Sequence, residues 1–563
     1  MVWIRRIKRG GKIILCKYKS VRRDGKVVSE FVEYLGVESD QEKVPLPKKT
    51  VMKWKSPERS VRSGDVTALW HIAQDLKIAQ TINRICGYNT RDIAKSPGTL
   101  LTVWAINRAL DPESATQLPA WLEGTDLPRL AGFLQNIPGK DAFYKALDCV
   151  CSYDETSDRI LDNTNAMDEM LYSIWRNQHP LSKDASEVIA YDMTSVIVYG
   201  DTYPLVKKGH NADEGKHQQI NLSVLVSKYD HYPLAQRVHP GNHSSMTTMQ
   251  ELIPRLSDFA IKKGTIIRDR GNTSEKTVTT LDRNGWNVIC GVPEISKDEK
   301  KIVQNADIPE NQKNLVPCKN TGKLYAVKIR AQLYGNEREA VVYRNVTEAA
   351  EHLVKRNRAI HEISGELNWL KENIDVKTQN LLHDKIAKIL EGWKSFFIIT
   401  MPADGKTVDF DWKLNNERME DAQAMDGKYL VYSTDESFTA PEVVRLYLEK
   451  DFVEKFFQVV KVDEDLKPVQ HRLVSRVRAY FFVCTLAYRL LSAMRWMILS
   501  ADSKKASIGL KDFLKKLGQI DRLDADLGKE IESFYVNMTT DVRDQLDVLG
   551  MKSILLPERT PNV

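Results

Sequence analysis

Two apolar runs that each stop on an aspartate constrain this chain most. Val-Ile-Ala-Tyr-Asp at 188–192 and Gly-Thr-Ile-Ile-Arg-Asp at 264–269 read as strands buried on both faces, ending at Asp192 and Asp269. A carboxylate at the end of an apolar strand is costly unless it is paired or bound to a cation. For either residue alone, a side chain capping the next turn or helix is the simple alternative. Two such sites in this strand order favour oxygen ligands for a hard cation, Mg²⁺ or Mn²⁺.

The surrounding pattern predicts a mixed α/β sheet. After Val188–Tyr191 come strand-like runs at Ile220–Val226 and Tyr232–Val238, a helix at Met246–Lys262, the Gly264–Arg268 run, and a fifth strand at Trp286–Val292. Residues 296–440 break that order with β-like runs (Lys323–Gln332, Glu339–Tyr343, Ser395–Thr400), a charged helical pair (Thr347–Ile374, Lys377–Trp393) and a strand at Lys428–Ser433. They are expected to be a domain inserted into the sheet. The predicted organisation is a basic N-terminal β-module and linker (1–62), a helical domain (63–185), the sheet core (186–295), the insertion (296–440), a helical continuation of the core (441–500) and a C-terminal helical region (501–563).

One long helix is expected from Ala440 to about Lys461. At 100° per residue, Tyr447, Lys450, Glu454 and Lys461 fall on a stripe about 60° wide, with Val453, Phe456 and Val460 turned toward a core. One carboxylate flanked by two cations and a phenol suits a phosphodiester crossing a metal site. A solvated face with Lys450–Glu454 pairing fits the same stripe.

Tyr447-x2-Lys450-x3-Glu454-x6-Lys461 resembles the Y-x2-R-x3-E-x6-K signature of the DDE cut-and-paste transposases of bacterial and archaeal insertion sequences. Tyr191-Asp192-Met193-Thr194-Ser195, Asp269-Arg270-Gly271, Pro240-Gly241-Asn242, Lys467-Pro468-Val469-Gln470-His471 and Arg476-Val477-Arg478-Ala479 are similar to that family as well, so the likeness covers roughly residues 65–500. The chain departs from it at Lys450, where Arg is usual and a bidentate fork becomes a point charge, and at Asn272, where an aromatic or apolar residue is common.

The resemblance implies a ribonuclease-H-like catalytic core interrupted by a largely β insertion. Asp192, Asp269 and Glu454 would be both the catalytic residues and the metal ligands, with Asp192 bridging two Mg²⁺ (or Mn²⁺) ions. One ion would make a water, and later a 3′-hydroxyl, nucleophilic; the other would stabilise the leaving oxygen. The same pair of ions can thus cut an element end and join it to a target. Arg270, Tyr447, Lys450, Lys461 and His471 would bind DNA. The partners implied are double-stranded DNA, as inverted-repeat ends and target, and a second copy of the chain on paired ends. A hairpin intermediate, also implied, would call for a stacking aromatic such as Trp412 or Trp393. A prokaryotic cytoplasm, with nucleoid association when DNA-bound, is the expected location. Two readings stay open beside this one: a transposase-derived sequence-specific DNA-binding protein that does not cleave, and a ribonuclease-H-fold structure-specific nuclease.

Charge and composition agree with a polyanion partner. Residues 1–62 carry a net +10, and the remaining 501 residues sum to −4. A solvated basic face without a partner is the alternative. Hydrophobic residues at 42% and charged residues at 28% describe a soluble globular chain with ample core material. The apolar run Ala479–Tyr488 is half the length a bilayer requires, so a buried helix is expected and no membrane partner. Seven scattered cysteines lack zinc spacing and read as reduced thiols. Five of the eleven histidines crowd into 210–243; His239-x3-His243 has helical zinc spacing, but Pro240-Gly241-Asn242 between them favours a turn, and DNA contact or loop polarity is expected there. Walker, Rossmann and nucleophile-elbow patterns are absent, so no nucleotide cofactor is expected.

Overall fold

The computed structural model describes residues 2–550 apart from positions 11, 24–25, 38–56, 90–91, 134–135, 155–158, 184, 198–204, 212–214, 253–255, 257, 260, 262–263, 270–274, 293–296, 319–321, 334–335, 404–405, 461–472, 501–508 and 527–530. The chain divides into two compact units, residues 1–61 with 521–537, and residues 62–520 with 538–563.

The smaller unit begins with the basic segment. Val2–Arg9, Lys12–Arg23 and Lys26–Val37 form an antiparallel three-stranded sheet, with Arg9 opposite Lys12 across a two-residue turn in which Gly10 has φ +57°. Trp3 stacks on Tyr18, whose other neighbour is Phe31. A second sheet in this unit pairs Pro57–Arg62, Asp521–Asp526 and Ile531–Val536. Two expectations change here. Part of the anticipated linker is a strand, and the region 501–563 is not wholly helical, because Asp521–Asp526 and Ile531–Val536 pair as antiparallel strands.

The larger unit is built on a nine-stranded mixed sheet. Eight strands follow the spatial order Pro233–Pro240, Gly215–Ser227, Glu187–Ile197, Gly264–Arg268, Asn287–Gly291, Lys428–Ser433, Asn336–Asn345 and Leu324–Leu333, and Lys207–Asn211 pairs with Gly215–Ser227. The first five run third-second-first-fourth-fifth in chain order, with the first, fourth and fifth parallel and the second antiparallel. This is the ribonuclease-H-like arrangement, and the mixed α/β class is as expected.

The expected insertion is built partly into the central sheet. Its strands Leu324–Leu333, Asn336–Asn345 and Lys428–Ser433 continue the central sheet, with Cys290 opposite Tyr432 and Tyr432 opposite Ala340. Ala340, Val341 and Val342 are buried in succession, as in a strand covered on both faces, so this edge was never free to form a sheet of its own. The helices Val346–Glu372 and Gln379–Ile389 and the hairpin Phe397–Thr400/Asp411–Leu414 leave the sheet. They close on their own core around Leu367, Leu382, Ile386, Phe396 and Phe410.

Helices pack beside the core strands. Ser96 accepts the Thr99 N–H and Pro97 occupies the first turn, which starts the helix Pro97–Leu110. Its Trp104 meets Phe143 and Tyr480. Tyr480 belongs to Val474–Ser500, a helix long and apolar enough to cross a membrane but mostly buried inside this protein. Arg489 in that helix is fully buried. It donates to Asp168 Oδ1 at 2.7 Å and to the carbonyls of Pro233 and Leu234, while Asp168 Oδ2 accepts the Gln236 N–H. The pair thereby ties two helices to the edge of the sheet. Arg489→Met removes the cation that faces the buried Asp168 carboxylate and is expected to lower unfolding free energy by about 3–5 kcal/mol in denaturant titrations, with Asp168→Leu in the same chain recovering most of the loss.

Candidate active site

Strand register brings the two aspartates together. In the parallel pairing Arg268 lies opposite Tyr191, so Asp192 and Asp269 follow one residue later side by side; Asp192 sits midway along Glu187–Ile197 rather than at the strand end its apolar run predicts, and Asp269 lies just past the second strand. Gly264 opens the second strand because a Cβ there would come within 2.6 Å of the Trp286 ring and 2.7 Å of the Glu187 carbonyl. Tyr191 is buried and its hydroxyl meets Thr248 Oγ1 at 2.5 Å, which fixes the backbone immediately before Asp192 from the helix Ser245–Leu252.

The third carboxylate arrives on a broken helix. The expected continuous helix 440–461 is two helices, Ala440–Leu448 and Asp451–Gln458, with ψ near zero at Glu449 and Lys450. Thr439 and Glu442 form a reciprocal cap at the start of the first helix. At the break, Glu449 accepts a hydrogen bond from Lys228 Nζ at 2.6 Å, an ion pair to the strand side of the sheet that the helical repeat gives no means of foreseeing. Breaking the helix invalidates a single 100° projection, yet Tyr447 and Lys450 of the predicted stripe still meet. Lys450 Nζ lies 2.8 Å from Asp269 Oδ1, the Tyr447 hydroxyl donates to the same oxygen at 3.4 Å, and the Lys450 ammonium sits 5.0 Å from the centre of the Tyr447 ring.

Asp192 shares the field of all these groups. Burial pushes its carboxyl up from the usual range to about 6; the Met193 N–H and Lys450 oppose the rise, and the negative charges of Asp269 and Glu454 add to it. Thus residues 192, 269, 447, 450 and 454 converge, although 185 positions separate Asp269 from Glu454 in the chain. Asp269 and Glu454 are exposed, so the cluster opens to solvent. Arg270, Lys461 and His471 lie outside the described residues, as does Asn272. Trp412 and Trp393 belong instead to the insertion's apolar core, where Trp412 donates to Asn368 Oδ1.

These carboxylates suit a divalent ion. They are hard oxygen donors, they raise one another's cost, and a cation from the protein itself, Lys450, already neutralises one of them. Residues 183–490, more than half of the chain, match the family profile described as the transposase DDE domain. The chain belongs to this family. The family generally uses divalent metal ions. Among solved structures, a piggyBac transposase synaptic complex with hairpin DNA, determined by cryo-electron microscopy, is similar over 88% of this chain and 86% of that one, at 10% identity and a TM-score of 0.38. Among curated proteins none matches this transposase in sequence.

The raised Asp192 pKa has a signed consequence. The folded chain keeps a proton that the unfolded chain releases near pH 3.8, so the contribution favours folding below that pH and is lost as pH rises through about 6. Above pH 6 the ionised side chain is a cost on the order of 1–3 kcal/mol in metal-free protein. Asp192→Asn is therefore expected to stabilise the metal-free transposase at pH 8, to do so less at pH 5, and to remove stabilisation by Mg²⁺. Urea midpoints at the two pH values, with and without Mg²⁺, check this; a variant less stable than wild type at pH 8 refutes it.

Proposed function

We propose that this transposase cuts the inverted-repeat ends of its own insertion sequence and joins them to target DNA, using Asp192, Asp269 and Glu454 to hold two Mg²⁺ or Mn²⁺ ions. The observation that carries the reading is the Asp269–Lys450 contact at 2.8 Å beside Asp192 and Glu454, because it puts a phosphate-binding cation and the acidic cluster in one open site. Bound there, the ions supply an activated water or 3′-hydroxyl and stabilise the leaving oxygen.

The chain's own residues orient the reacting groups. The Met193 N–H, donating to Asp192 Oδ1 at 2.8 Å, and Lys450 both favour the charged form of Asp192, and Tyr447 steadies the Asp269 oxygen that it shares with Lys450. Lys450, a flexible point charge, can leave Asp269 for a backbone phosphate once another cation neutralises that carboxylate. In this reading Tyr447 and Lys450 are the first half of a Y-R-E-K signature whose Lys461 completes the grip on DNA with Arg270 and His471. The basic three-stranded sheet, with Arg5, Arg6, Lys8 and Arg9 on its first strand, would bind end DNA through phosphates. Two copies would act on paired ends in a prokaryotic cytoplasm.

Purified full-length protein, Mg²⁺ and a labelled element end test the proposal. Glu454→Gln is exposed and should fold; it is expected to lower cleavage at least about a hundredfold, since removing a ligand forfeits several kcal/mol of charge stabilisation, and to leave salt-sensitive end binding intact. Cleavage by Glu454→Gln at the wild-type rate sinks the assignment. End binding by wild type without cleavage under any divalent ion supports instead a derived DNA-binding protein, and preference for branched DNA over the element end supports a structure-specific nuclease.

A further inference from the structure

A second group of metal-ligating side chains lies outside the acidic cluster. The strand Pro233–Pro240 carries His239, buried to 1% exposure, next to its last residue. The chain then turns, with the His243 N–H donating to the Pro240 carbonyl at 3.0 Å. Gly241 makes the turn tight: a Cβ there would come within 1.9 Å of the Gln219 carbonyl oxygen. Asn221 Nδ2 donates to the carbonyls of His243 and Gly241 and holds the turn against the neighbouring strand. The helix Ser245–Leu252 follows and returns Glu251 over both rings.

The result is a three-donor cup. His239 Nδ1 is 3.2 Å from Glu251 Oε2, His243 Nδ1 is 3.7 Å from Glu251 Oε1, and one donor atom from each residue fits within 4.8 Å of the others. Donors about 2.0–2.1 Å from a tetrahedral zinc ion stand about 3.3 Å apart; the His239–Glu251 separation matches that, and the full set lies within 4.8 Å, near enough to close on an ion. The far side of the His239 ring is already engaged, with Nε2 at 2.7 Å from Ser223 Oγ, as a metal-binding imidazole requires to fix its tautomer. His243 Nδ1 is shielded from solvent and has no hydrogen-bond partner. That is a donor atom in need of an occupant.

We propose that His239, His243 and Glu251 form a second cation site, distinct from the acidic cluster, that takes a divalent late transition ion, zinc foremost, with water completing the shell. Two imidazoles and one carboxylate are a borderline ligand set that favours such an ion over Mg²⁺, whose usual partners are oxygens. Two guanidinium groups, Arg237 and Arg478, also lie near enough for their charges to act on His239. Arg478 is itself committed to Asp162 at 3.1 Å. The ion would clamp the edge strand to the helix that carries Thr248, whose hydroxyl holds Tyr191 next to Asp192. Its role is positioning.

The test uses chelator-stripped full-length protein in millimolar Mg²⁺, with Co²⁺ as a visible surrogate for Zn²⁺. Wild type is expected to bind one Co²⁺ per chain with the ligand-field absorption of a tetrahedral site, displaced by Zn²⁺. Glu251→Gln and His243→Ala should each weaken binding by at least about tenfold, whereas Asp192→Asn should bind as wild type. In wild type alone, Zn²⁺ should also protect His243 from acylation by diethyl pyrocarbonate, read by peptide mass mapping, so the result does not depend on how the variants fold. Absence of stoichiometric Co²⁺ binding, unchanged binding by both variants, its loss in Asp192→Asn, or unprotected His243 overturns the proposal.

Discussion

The parallel pairing of Glu187–Ile197 with Gly264–Arg268 is the constraint on which the rest depends. Its register places Tyr191 beside Arg268 and so brings Asp192, midway along the first strand, next to Asp269, just past the end of the second. A slip of one residue would send one of the two carboxylates to the opposite face, because side chains alternate along a strand. The packing around this pair guards against such a slip: Gly264 admits Trp286 at one end, and Tyr191 is held by Thr248 at the other.

Two further devices bring the rest of the site to that pair. Long-range ion pairs join segments remote in sequence, Arg489 to Asp168 in the core and Lys228 to Glu449 at the helix break. The break matters because it frees Lys450 from helical geometry while keeping Tyr447 within reach of the same carboxylate oxygen. Extending the sheet with the insertion's strands supplies the scaffold across which this is done. Lys428–Ser433 pairs directly with Asn287–Gly291, and the chain enters the Ala440–Leu448 helix shortly afterward. An insertion with its own sheet would have left that entry point to be set by a linker; pairing into the core sets it by hydrogen bonds.

Much of the core was legible from local pattern. Gly264–Arg268 and Lys428–Ser433 occur with the boundaries that their apolar runs predict, and the helices beginning at Val346 and Gln379 follow Asn345 and Thr378, polar residues suited to capping. The break at Glu449–Lys450 was not legible. An amphipathic repeat continues through it, and the ion pair that holds it depends on a lysine 221 positions away. Nor was the role of His239 and His243: the turn between them correctly argued against a helical pair, while Glu251, the residue that makes them a cluster, is positioned only by the next helix.

By itself the amino-acid sequence determined many of the strands and helices, that apolar runs lead into Asp192 and Asp269, and that a tyrosine, a lysine and a glutamate recur at a spacing suited to a phosphate backbone. Those properties are local, set by side-chain periodicity and backbone sterics over a few residues. Only the tertiary structure decided that the insertion's strands join the central sheet, that the helix breaks beside Asp269, and that Asp192 lies close enough to Asp269 and Glu454 for their charges to raise its proton affinity. Strand partnership, helix interruption and electrostatic coupling depend on distances between residues far apart in the chain, and no local pattern encodes those distances.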